Sequence, residues 1–247
     1  MERFIMQDLV AWKERKDRKP LILLGARQVG KTYILKEFGR RKFENVAYIN
    51  CDNNAMVRDL FMPDYNIERI LLTIGAITGI NIQAGKTLII MDEIQELRRG
   101  LASLKYFCEN AREYHVAVAG SLLGLTLHQG ESYPVGKVNT LEMFPMTYEE
   151  FLWARGFKQQ MDLLKNGMWD IVKSLRTTYI QHLREYYMTG GMPEAVKTFI
   201  DTNDANAVRE VQEEIIMAYE KDISKHAPTD QVVRINPVWN SIAAQLA

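Results

Sequence analysis

Short apolar runs alternate with stretches whose apolar residues recur every three or four positions, and this alternation covers the first 150 residues or so. LILLG (21–25), NVAYIN (45–50), TLIIMDE (87–93) and HVAVAGS (115–121) are too short and too continuously apolar for helices, and they predict buried strands. Helical spacing fills the gaps at 31–38, 66–78 and 96–112, and Phe4, Ile5, Leu9 and Trp12 line one face of an opening helix. VGKVNTLEMF (135–144) predicts a fifth strand. Thr147 with Glu150 forms a capping box that opens a helix through FLWAR. Beyond Gly156 the strand pattern stops. Helices are expected at 160–174, 178–189, 193–201 and 205–225, and RINPVWNSIAAQLA begins another. The pattern predicts an α/β fold: a mostly parallel sheet covered on both faces, followed by an all-helical region, with the boundary near 156.

Composition narrows this picture without redirecting it. The chain has 247 residues, with 47% hydrophobic and 25% charged, which suits a globular protein with a sizeable core. Zero formal net charge gives no support to a nucleic-acid coat. Cys51 and Cys108 are far apart and form no CxxC pair, so the expected compartment is reducing and cytoplasmic. His115, His128, His182 and His226 are scattered without metal-ligand spacing, and packing or surface roles are expected. The longest apolar stretch, NIERILLTIGAITGINI, contains Glu68 and Arg69 and falls short of a membrane span. Asp52 and Asn53, after the second strand, read as helix caps.

Chemistry enters at GARQVGKT (25–32), which matches G-x-x-x-x-G-K-[ST] between a predicted strand and a predicted helix. Gly25 and Gly30 permit torsions closed to other residues and let amides approach an anion. The loop Gly25, Ala26, Arg27, Gln28, Val29, Gly30, with Lys31, Thr32 and Tyr33, would cradle phosphates at the positive end of a helix. Lys31 would meet the β- and γ-phosphates, and Thr32 would give its hydroxyl to a magnesium ion. Arg27 would touch phosphate or a neighbouring subunit, or simply be solvated.

Such a loop needs an acid at the end of a nearby strand. LIIMDE supplies Asp92 to hold the magnesium shell and Glu93 to orient or deprotonate the attacking water. Ser121, after the next strand, would hydrogen-bond the γ-phosphate or the water, or occupy an ordinary strand-to-helix turn. The glycine of D-x-x-G is replaced by Gln95 and no N-K-x-D occurs, so adenine is favoured over guanine. These features read as a P-loop NTPase core using ATP and Mg2+, with a small-molecule phosphoryl transferase as runner-up.

GARQVGKT, LIIMDEIQ, AGSLLGL, SYPVGKVNTLEMFPMTYEEFL, YYMTGGMPEAV and YEKDISKHA occur in that order, and together they resemble a bacterial and archaeal AAA+ ATPase family with an uncharacterised, nuclease-like C-terminal domain. The resemblance covers almost the whole chain. It implies a core (1–156), a helical lid (157–230) and the start of a winged-helix-like or C-terminal domain (231–247). It also implies that Gly191 and Pro193 let the lid backbone approach the adenine. Read from the residues alone, Gly190 and Gly191 end one helix and Pro193 begins the next. Family members usually continue further, so this chain reads as an N-terminal part whose partners include the missing domain, with a homo-oligomer or a partner protein as further expectations. Many relatives carry arginine at the position of Lys137, which leaves Arg98, Arg99 and Arg155, or another subunit, as sources of a finger. The expected function is Mg-dependent ATP hydrolysis coupled to lid closure and an appended domain, with a nucleotide-dependent protein-binding switch of little turnover, or a nucleic-acid-associated NTPase, as alternatives.

Overall fold

The computed structural model describes residues 1–52, 54–120, 134–226, 235, 237–242 and 245. They divide into a sheet-bearing unit, Arg3–Phe144, and a helical unit, Pro145–Ala247 with Met1–Glu2.

In the sheet unit the order is α1 (Ile5–Glu14), β1 (Leu21–Gly25), α2 (Lys31–Lys42), β2 (Asn45–Asn50), α3 (Ile67–Thr78), β3 (Thr87–Asp92), a 3-10 turn (Ile94–Glu96), α4 (Gly100–Asn110), β4 (His115–Ala119) and β5 (Asn139–Met143). The five strands lie in the order β2-β3-β4-β1-β5, and every pairing is parallel. This is the mostly parallel, doubly covered sheet that the pattern predicted. Side-chain alternation sorts its two faces. Ile22, Ala47, Ile49, Ile89, Met91, Val116 and Val118 pack with residues of α3 and α4 such as Ile70, Ile74, Leu101, Leu104 and Phe107. The opposite face meets α2. Gly39 of α2 lies so close that a Cβ there would stand 2.5 Å from Val46 Cγ2 and 3.3 Å from Leu88 Cδ2. All six residues of β3 are buried, as a central parallel strand requires. Asp92, its last residue, is therefore a carboxylate delivered from the interior to the sheet's carboxyl edge.

The helical unit holds α5 (Tyr148–Ala154), α6 (Lys158–Lys165), α7 (Trp169–Ser174), α8 (Arg176–Thr189), α9 (Pro193–Thr202) and α10 (Ala205–His226). Thr147 forms both bonds of the capping box with Glu150. The core of this unit is Met146, Phe151, Leu152, Ala195, Val196, Phe199 and Val208.

Two predicted helices are corrected. The helix expected at 96–112 starts at Gly100, because Glu93 (φ 52°) and Arg99 (φ 63°) adopt left-handed torsions that break the run. The helix expected at 160–174 is two, α6 and α7, divided at Gly167 with φ 65°. Asp52 caps no helix; its amide donates to the Asn50 side chain in a local turn. Asn53, Ser121 and His128 lie outside the described residues. Both cysteines are free and buried. Among the described residues no helix is long and apolar enough to cross a membrane, and no cluster of three or more metal-ligating side chains occurs.

Candidate functional site

The strand β1 ends at Gly25, whose φ of 153° only glycine adopts without strain. A Cβ at Gly25 would lie 2.3 Å from the Met143 carbonyl oxygen of neighbouring β5, so the close approach of two strand ends also demands glycine. The loop then turns through Gln28 (φ 64°) and Gly30 (φ 96°) into α2. Gly30 stands at the N-cap position and no side chain caps this helix. The first-turn amides of α2 are thus left for a ligand, and the helix dipole favours an anion there. Val29 is fully buried and holds the loop's middle to the core, while Ala26, Gln28 and Tyr33 are exposed and Arg27 is half-buried.

Arg3, a buried residue from the chain's start, donates to the Val29 carbonyl at 3.0 Å and to the Phe144 carbonyl at 2.6 Å. It ties the loop between β1 and α2 to the segment after β5. Lys31 is buried, and its ammonium donates to the carbonyls of Gly25 (2.9 Å) and Ala26 (2.8 Å). Burial lowers its pKa, against the opposing fields of Glu93 and Asp92. The lysine therefore sits folded into the loop with two carboxylates in electrostatic range.

The structure brings Thr32 and Asp92 together across 60 positions of sequence: Thr32 Oγ1 donates to Asp92 Oδ2 at 2.6 Å. A hydroxyl and a carboxylate at an anion-cradling helix start are hard oxygen donors of the kind magnesium takes beside a polyphosphate. The residues present fit ATP with Mg2+. Glu93, next in the chain, holds φ 52° and ψ 47°, a conformation that costs a non-glycine residue on the order of 1 kcal/mol. Its carboxylate accepts from Gln95 Nε2 at 2.5 Å. Gln95 is buried, and its Oε1 has no hydrogen-bond partner among the described residues. β4, the strand that leads toward Ser121, lies between β3 and β1.

Three neighbours escaped the sequence reading. Tyr48 of β2 donates its hydroxyl to Asp92 Oδ2 at 3.2 Å, and its pKa is pushed up to about 12 by burial and by the Asp92 charge. Cys51 donates its amide to the Asp92 carbonyl at 2.9 Å, and burial followed by the Asp92 and Glu93 charges raises its thiol to about 12. That thiol stays protonated and is no nucleophile. Gln95 is the third. In the sequence it counted only as the residue standing where D-x-x-G has glycine, because its contact with Glu93 follows from the left-handed turn.

Gly191 and Pro193 belong to the helical unit. A Cβ at Gly191 would lie 2.3 Å from the Met146 carbonyl oxygen, and Met146 N donates to Gly191 O at 2.6 Å. Pro193 is the first residue of α9. The α8–α9 corner therefore has its own reason for glycine and proline, as the residues alone suggested. Of the arginines weighed, Arg99 donates to the Tyr65 hydroxyl and the Met62 carbonyl, and Arg155 pairs with Glu185 over the rings of Phe151, Phe157 and Phe199. Lys137 pairs with Glu109 at 2.7 Å.

A family model described as AAA domain matches residues 17–152, and one for a domain of unknown function matches residues 180–247. The uncharacterized protein MJ1637 of Methanocaldococcus jannaschii is 28% identical over 209 residues, which are 78% of this chain and 42% of that protein. The chain thus spans less than half the length of this curated relative. A solved RuvB mutant from Thermotoga maritima matches with a TM-score of 0.50 at 13% identity, covering 89% of this chain and 75% of its own, a likeness of fold. Another RuvB mutant from the same organism matches with a TM-score of 0.42 at 18% identity, over 65% of this chain and 50% of its own.

Proposed function

This chain belongs to the AAA-domain family, and from that premise we propose that it binds ATP with Mg2+ and hydrolyses the terminal phosphoanhydride bond. The observation that carries the reading is the 2.6 Å bond from Thr32 Oγ1 to Asp92 Oδ2, beside an uncapped helix start preceded by a left-handed glycine. The amides of residues 26–33 take the phosphates, with the Lys31 ammonium leaving its loop carbonyls for the β- and γ-oxygens. Thr32 and Asp92 hold the metal ion, which supplies charge neutralisation when bound. Glu93 orients and deprotonates the attacking water, and Ser121 meets the γ-phosphate. Residues 1–156 act as the core and 157–230 as a lid, with Gly191 and Pro193 approaching the base and residues 231–247 leading into an appended domain that responds to nucleotide state. The same residues also fit a second role, a nucleotide-dependent switch with little turnover. The Gln95–Glu93 bond favours it by engaging one oxygen of the carboxylate that must face water.

The test is ATP binding and turnover with and without Mg2+, on the wild type, Lys31→Ala and Glu93→Gln. Lys31→Ala is expected to weaken ATP binding at least 100-fold, and Glu93→Gln to keep binding while turnover drops by a similar factor. Wild-type binding without turnover would select the switch. Absence of nucleotide binding in the wild type would overturn both readings.

A further inference from the structure

We propose that Tyr48 is a positioning residue for the magnesium ion, holding the Asp92 carboxylate in its metal-bearing orientation. The proposal rests on the reading of Thr32 and Asp92 as the magnesium residues. It begins with register. β2 and β3 are parallel, with Tyr48 opposite Ile90 and Asn50 opposite Asp92. Alternation puts Tyr48 on the face that carries Ile90 and Asp92, two residues back from the sheet's carboxyl edge. Two residues of strand span roughly 6.6 Å, a gap that a phenol bridges and a serine or threonine does not.

The hydroxyl arrives where it matters. Asp92 Oδ2 accepts from Thr32 Oγ1 at 2.6 Å and from Tyr48 at 3.2 Å. A carboxylate oxygen offers two lone-pair directions, so these donors fill Oδ2 and fix the plane of the carboxylate. Metal-directed bonding then falls to Oδ1. Thr32, for its part, points its proton at Asp92 and so turns a lone pair outward. The ring is itself held: Lys36 Nζ lies 3.4 Å from its centroid, and Lys36 follows Thr32 by four residues on α2, one helical turn. Helix start, strand end and metal-bearing acid are therefore joined through one phenol. Phenylalanine would fill the same space and leave Asp92 Oδ2 with the Thr32 bond but without the phenol's, so the carboxylate plane is less firmly fixed.

The experiment titrates Mg2+ against ATP binding in the wild type and in Tyr48→Phe, with metal-free ATP affinity and the thermal midpoint measured on the same preparations. Mn2+ bound alongside ATP, followed by electron paramagnetic resonance, reads the metal directly. Tyr48→Phe is expected to raise the half-saturating Mg2+ and Mn2+ concentrations about tenfold, the effect of losing a hydrogen bond to a charged group. Metal-free ATP affinity should stay unchanged. A purely structural role would weaken both kinds of binding together, and that result, or an unchanged metal requirement, would overturn the proposal. If the wild type binds ATP with no metal dependence, the assignment of Thr32 and Asp92 fails first and takes Tyr48 with it.

Discussion

Arg3 shows how much a single buried side chain can hold. Its guanidinium bonds two carbonyls that belong to different segments, Val29 in the loop between β1 and α2 and Phe144 after β5. Arg3→Met keeps the aliphatic stem and removes both donors, leaving two carbonyls short of a partner. A loss of about 2 kcal/mol in unfolding free energy is expected, read from the denaturant midpoint. ATP affinity should fall as well, since the loop loses its tie. Gln95 works at the same scale. Its amide nitrogen donates to the Glu93 carboxylate, and its amide oxygen is buried without a partner among the described residues. Gln95→Leu should leave ATP affinity within about twofold, because the residue lies in the turn after β3 and outside the loop at 25–33, while changing turnover; single-turnover kinetics beside equilibrium binding separate the two.

Elements differ in how firmly they are held. The α6 and α7 helices bury no residue, whereas β3 and β4 are buried throughout. Hydrogen exchange should therefore be fastest across Lys158–Ser174 and slowest in β3 and β4, and equal protection would contradict the packing account. At the opening of α5 the capping box satisfies first-turn amides, and Thr147→Ala is expected to cost about 1 kcal/mol, measured by chemical denaturation. The first four strands were read from sequence within a residue or two because parallel, doubly covered strands are continuous apolar runs, whereas the fifth, expected from 135, starts only at Asn139 and alternates in burial. The helices at 96–112 and 160–174 were read as too long because apolar spacing persists through the break. Periodicity carries no information about a left-handed torsion at a non-glycine such as Arg99, and a lone Gly167 is tolerated in many helices.

For the molecule as a whole, the sheet unit carries a pH dependence. His115 at the start of β4 sits against the rings of Trp12 from α1 and Phe43 before β2. Burial lowers its pKa from the ordinary 6.5 to about 4, aided by the positive fields of Arg18 and Lys13. The unfolded chain thus binds a proton that the folded one refuses between those values. The neutral ring's contribution is complete above pH 6.5 and is lost as pH falls toward 4. Denaturation midpoints across that window should fall with acid in the wild type and fall less in His115→Phe.

The sequence by itself determined the alternation of strands and helices, the parallel and doubly covered sheet, the capping box, and the placing of a glycine-bounded turn before α2 and of Asp92 at the end of a buried strand. Each of these is written in neighbouring letters, because period, cap and loop are local. Tertiary structure alone decided which side chains converge on Asp92. Tyr48 reaches it only because β2 pairs with β3 in one register, and a shift of one residue would turn the phenol to the opposite face. Arg3 reaches the loop because β5 lies beside β1. Gly191 reads as a helix end in sequence, and the fold adds the 2.3 Å approach to Met146 that excludes any side chain there. Strand order and register are set by the sum of many long-range burials, which no short stretch of the chain records.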